Sequence, residues 1–68
     1  MDVYIVYICG NIAVAHTKYS TAVEHVLSEI AELTGKPYTG STEEELNRYL
    51  DDNVDVAYFE PVWLSDDY

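Results

Sequence analysis

The chain has 68 residues, with thirteen Asp and Glu against three Lys and Arg, a formal net charge of -10 and a pI near 4.1. That length allows one domain with a thin core, since a chain of this size buries only about 60% of the surface it exposes when unfolded. The acidity argues against direct binding to phosphate, and the lone Cys9 excludes an internal disulfide framework and a cysteine-only zinc site.

Leu, Ile, Val and Phe together make 18 of the 68 residues, above the ~20% level below which disorder is the better reading. A folded chain is therefore expected. The N-terminus has an acid at Asp2, no basic stretch and an apolar run too short for a bilayer, so neither signal peptide nor membrane helix is expected. Together with the single cysteine, this predicts a soluble cytoplasmic protein.

Val3 to Cys9 is the one run apolar on both faces of a strand, as in a central strand. Gly10-Asn11 fits a tight hairpin link, so Ile12 to Ala15 should return beside it. His16 to Ser20 reads as a loop. Thr21 and Glu24 have capping-box spacing, which predicts a helix from Thr21 to Thr34, ended by Gly35 and Pro37. Its apolar half holds Ala22, Val23, Val26, Leu27, Ile30, Ala31 and Leu33.

Two further capping boxes, Ser41 with Glu44 and Thr42 with Glu45, open a second and shorter helix whose only apolar stripe is Leu46, Tyr49 and Leu50. After a turn at Asn53, Val54, Val56 and Tyr58 alternate with Asp55, Ala57 and Phe59 as a third strand with one face wetter than the other. Pro61 ends that strand or marks it as an edge, and Val62-Trp63-Leu64 continues extended. The expected fold is an α+β domain of order ββααβ over residues 1–64, with a loose acidic tail at 65–68. Its mostly antiparallel sheet has strand order 2-1-3, the longer helix covers one face, and the third strand's direction is left open.

No constellation of residues names a reaction. Asp51, Asn53 and Asp55 imitate the start of a calcium loop, but Val56 stands where glycine is needed and Val62 where an acid is needed. Cys9, His16 and His25 share no ligand spacing, and Cys9 falls in a predicted buried strand where a thiol is inert. No metal, cofactor or catalytic residue is expected. A general acid needs an enclosed pocket that so small a chain scarcely provides.

The acids are the stronger signal. Spread evenly over the ~4,300 Å² that area scaling gives a chain of this mass, they would be sparser than the charge of duplex DNA, about one per 110 Å², so their placement decides. Glu29, Glu32, Asp51 and Asp52 stand toward the negative C-terminal ends of their helices, where stability favours lysine, and the first helix contains no Lys or Arg. Glu24, Glu29, Glu32, Glu43, Glu44, Glu45, Asp51, Asp52 and Asp55 are the expected partner-binding acids. Of the loop and tail aromatics Tyr38, Trp63 and Tyr68, Trp63 is chosen as an apolar anchor beside those acids.

In size, acidity and lack of catalytic motif the chain resembles a class of small phage and mobile-element inhibitors that mimic DNA, namely anti-restriction, anti-CRISPR and uracil-DNA-glycosylase-inhibitor proteins. The resemblance implies a non-enzymatic inhibitor in the host cytoplasm, occupying the basic nucleic-acid-binding surface of a nuclease, CRISPR, restriction or polymerase enzyme. The alternative is a structural or regulatory adaptor, homodimeric through its exposed second strand.

Overall fold

A computed structural model describes residues 2–63. The elements run β1 (Asp2–Ile8), β2 (Asn11–His16), α1 (Tyr19–Thr34), α2 (Glu43–Asp52) and β3 (Ala57–Trp63). The expected ββααβ order and the sheet order β2-β1-β3 are both present. Both strand pairs are antiparallel, which settles the direction of the third strand. The tail at 65–68 lies outside the described residues.

The hairpin turns one residue earlier than Gly10-Asn11. Cys9 and Gly10 take φ of 52° and 83°, the paired positive values of a type I′ turn. This register puts glycine at the more extreme angle and frees Asn11 to pair with Ile8. Cys9 is consequently an exposed turn residue, not a buried strand thiol. Its N–H donates to the Val56 carbonyl at 2.8 Å, tying the turn to the approach to β3.

Between Val6↔Val14 and Tyr7↔Ile12 the β1–β2 register slips, leaving Ala13 as the extra residue of a bulge. The slip reverses the side-chain alternation, so Ile12 joins Tyr7 on one face while Val14 joins Val6 on the other.

α1 begins at Tyr19 with Lys18 as N-cap and no side-chain cap bond, two residues ahead of the predicted start. Tertiary packing overrides the capping box: the Tyr19 ring meets Tyr4 and Phe59 edge-on, at centroid distances of 5.7 and 5.6 Å. At the other end Gly35, at φ 72°, donates its N–H to the Ala31 carbonyl at 2.9 Å, and the Thr34 hydroxyl donates to the Ile30 carbonyl at 2.7 Å. α1 stops where the glycine requires.

The core is one layer deep. Val6 of β1 and Ala57 of β3 pack against Ala22, Val26 and Ile30 of α1, while Tyr4, Ile8, Val14, Tyr49, Leu50, Val56 and Phe59 close its rim. No buried polar or charged residue interrupts the core among the described residues. Leu33, placed on the apolar half of α1 by the wheel, is 51% exposed, because the buried stripe ends at Ile30.

β3 starts three residues later than predicted. Residues 53–56 form a turn closed by the Val56 and Ala57 N–H groups on the Asn53 carbonyl, at 2.9 and 3.1 Å. Ala57 is buried and Phe59 packs on the core, so these two residues mark the dry face of β3. Pro61 sits inside β3, opposite Tyr4, which an edge strand tolerates.

Val3, Ile5 and Tyr7 share the face of β1 turned away from α1, and Ile5 and Tyr7 are half-buried there. Ile30→Ala should cost about 2–5 kcal/mol, a large share of the roughly 3–10 kcal/mol available to so small a domain. Ile5→Ala should cost clearly less, and urea unfolding of the two variants checks the order. A second expectation concerns the turn. Cys9→Asn, which suits positive φ better, should raise stability by about 0.5–1 kcal/mol in the same assay.

Candidate partner-binding surface

The first turn of α2 carries Glu43, Glu44 and Glu45, where the helix dipole favours acids. Thr42 is the N-cap: its hydroxyl accepts the Glu45 N–H at 3.2 Å and donates to the Glu45 carboxylate at 3.1 Å. Of the two overlapping capping pairs, Thr42 with Glu45 is the one in contact, the Glu45 carboxylate taking the Thr42 hydroxyl rather than the Thr42 N–H. Glu45 is thus held at the helix start, and its carboxylate is less available to a partner than those of Glu43 and Glu44.

Two tyrosines clasp the preceding segment. The Tyr38 hydroxyl donates to the Thr42 carbonyl at 3.1 Å, the Tyr49 hydroxyl to the Lys36 carbonyl at 2.9 Å, and the two rings lie 5.3 Å apart. Tyr38 is therefore half-buried rather than a free anchor. Burial holds the Tyr49 phenol above its ordinary range. Gly40 lies beneath this clasp, where a Cβ would meet the Tyr38 ring at 2.6 Å and the Glu45 carboxylate at 2.8 Å. Residues 37–40 with Glu45, Arg48, Tyr49 and Asp52 line an open cleft of about 300 Å³.

Glu24, Glu32, Glu43, Glu44, Glu45, Asp51, Asp52 and Asp55 are all exposed, and Glu29 is partly so. With 100° per residue, Glu24, Glu29 and Glu32 fall within an arc of about 140° on the side of α1 away from the sheet. The acids of α2 spread over a wider arc with Arg48 among them. Arg48 is flanked at i−4 and i+4 by Glu44 and Asp52, yet the one approach of a basic side chain to a carboxylate within 4 Å among the described residues is His25 to Glu29, at 3.7 Å. The carboxylates are left to solvent. Asp51 and Asp52 receive no basic neighbour in the last turn; the Asn53 amide serves that end instead, donating to the Tyr49 carbonyl at 2.7 Å.

That amide bond also occupies the middle position of the calcium-like run, and no group of three or more metal-ligating side chains occurs among the described residues. Trp63 is 71% exposed at the end of β3, as an anchor requires. Tyr68 lies outside the described residues. On the opposite sheet face Tyr7 stacks on Tyr58 at 4.7 Å and donates its hydroxyl to the Glu60 carboxylate at 2.8 Å. That hydrogen bond is the main cause raising the Tyr7 phenol above its usual range.

The fold also makes one pair that spacing did not reveal. His16 at the end of β2 and His25 on α1 are nine residues apart, yet His16 Nε2 and His25 Nδ1 lie 2.9 Å from each other. The ring centroids are only 5.2 Å apart, so both nitrogens lie close to the line between the rings and share one proton. One ring donates and the other accepts. His25 also supplies the i+4 partner of Glu29 that the absence of Lys and Arg concealed. His16→Ala and His25→Ala should each destabilise the chain, with a coupling of about 0.5–1.5 kcal/mol in a double-mutant cycle. Additive losses in chemical denaturation would show that the pair does not tie β2 to α1.

No helix among the described residues is long and apolar enough to cross a membrane. No family model, curated protein or solved structure matches the chain.

Proposed function

We propose that the chain is a small non-enzymatic inhibitor that occupies the positively charged nucleic-acid-binding surface of a host enzyme in the cytoplasm. One observation supports this reading above others. Every acid from Asp2 to Glu60 reaches solvent, and none is within ion-pair distance of Lys or Arg among the described residues. A basic groove that binds phosphates would find those charges free, and meeting it would release counterions and steer association much as DNA does. Thirteen acids over 4921 Å² are sparser overall than the charge of DNA, so the reading rests on their grouping along α1 and α2. Trp63, exposed at the end of β3, supplies apolar contact that charge alone lacks.

The test is recovery of host proteins on the immobilised chain, with elution by salt and competition by duplex DNA. Basic nucleic-acid enzymes should elute as salt rises and be displaced by DNA. Lysine at Glu43, Glu44, Asp51 and Asp52 together should reduce affinity for the recovered partner at least ~100-fold at low salt, mainly through a slower association rate, while circular dichroism is unchanged. Glu45 is spared because it holds the helix cap. If this quadruple variant and a matching Glu24, Glu29 and Glu32 variant both keep affinity within about twofold, less than ~0.5 kcal/mol, the acids are only a solubilising coat.

A further inference from the structure

The face of the sheet turned away from α1 carries buried Val3 and half-buried Ile5 and Tyr7 of β1, exposed Ile12 and Ala15 of β2, and half-buried Tyr58 and Val62 of β3, by the register of the two strand pairs. No described helix packs across it: α1 lies on the other side, and α2 touches the strands only marginally. The bulge at Ala13 enlarges this face. Regular alternation would have turned Ile12 toward α1 with Val14, whereas the slip places it beside Tyr7 with 69% of its surface exposed.

Charge decides what can cover such a face. Of the acids among the described residues only Glu60 projects from it, at the β3 edge, where its carboxylate accepts the Tyr7 hydroxyl. The α1 acids project from the far side of the molecule, and Asp51 only borders the cleft between α2 and β3 that Tyr58 lines. A basic partner is drawn to those acids and not to this face. For two chains of net charge -10 the reverse holds, because meeting sheet to sheet keeps the α1 acids at opposite outer ends of the pair.

We propose that a second copy of this chain docks here, the two sheets stacking about 10 Å apart with α1 outermost on each side. The strands give a footprint of about 23 Å by 14 Å, smaller than the ~800 Å² per partner of standard interfaces. The dimer is therefore weak, and it is limited by repulsion between the two charges. Salt strengthens it, because the screening length falls from ~10 Å at 0.1 M to ~3 Å at 1 M. This sign is opposite to that of the partner binding proposed above, so each can fail without the other.

Sedimentation equilibrium from 10 µM to 1 mM in 0.1 M and 1 M NaCl tests it. The unaltered chain should form dimers whose Kd falls at least ~5-fold in the higher salt. Ile12→Lys, at a position exposed enough to keep the fold, should weaken the dimer at least ~10-fold although it reduces the net charge. Ser28→Lys, with the same charge change on exposed α1, should leave the dimer as strong or stronger. Circular dichroism confirms that both variants fold. A chain monomeric at 1 mM in 1 M NaCl, a dimer that salt dissociates, or equal effects of the two lysines would each overturn the proposal.

Discussion

Everything in this domain depends on the contact between Val6 and α1. Val6, Val26 and Ile30 have no exposed surface, and the small side chains of Ala22 and Ala57 let helix and sheet approach closely around them. A helix of 16 residues is ~24 Å long and a strand of seven is ~23 Å, so one helix spans the central strand. With a single helix committed to one face, no described helix packs across the other, where Val3 alone is buried. The one-layer core and the open sheet face are thus two results of the same shortage of residues.

The same shortage shapes the electrostatics. A core without polar residues sends every charged side chain of the described residues outward, and three bases cannot pair with thirteen acids. Local geometry reduces the cost where it can. The α2 acids at its start favour the dipole, Glu45 serves the cap and the Asn53 amide satisfies a carbonyl at the far end. What cannot be relieved locally is left on the outer side of α1 and along α2, and this separation of charge from the apolar sheet face makes two kinds of contact physically distinct. One weakens as ions are added and the other strengthens.

The aromatic residues divide along similar lines. Tyr4, Tyr19 and Phe59 form an edge-to-face cluster that lengthens α1, and Tyr38 with Tyr49 ties the 35–42 segment to α2. Their hydroxyls and ring edges join elements that an apolar core of five small and medium side chains would hold only loosely. Trp63 is left outside these clusters and largely exposed.

The doubly apolar run near Val3, the Gly35 stop, the Thr42–Glu45 cap and the Leu46, Tyr49 and Leu50 stripe were legible in the residues alone. Each depends on local backbone chemistry or on a period within one element, and so the ββααβ order and the central place of β1 followed from them. The exposure of the candidate acids was legible for the same reason, since an unpaired carboxylate has nowhere else to go. Tertiary contacts decided the rest. Tyr19 joins α1 because two rings from β1 and β3 receive it, β3 begins at Ala57 because its N–H is taken by Asn53, and Ile12 faces outward because a bulge shifts the register. His16 and His25 meet because antiparallel pairing returns β2 to the start of α1. In each case the deciding partner lies on another element, and spacing along the chain carries no information about a distance closed only by folding.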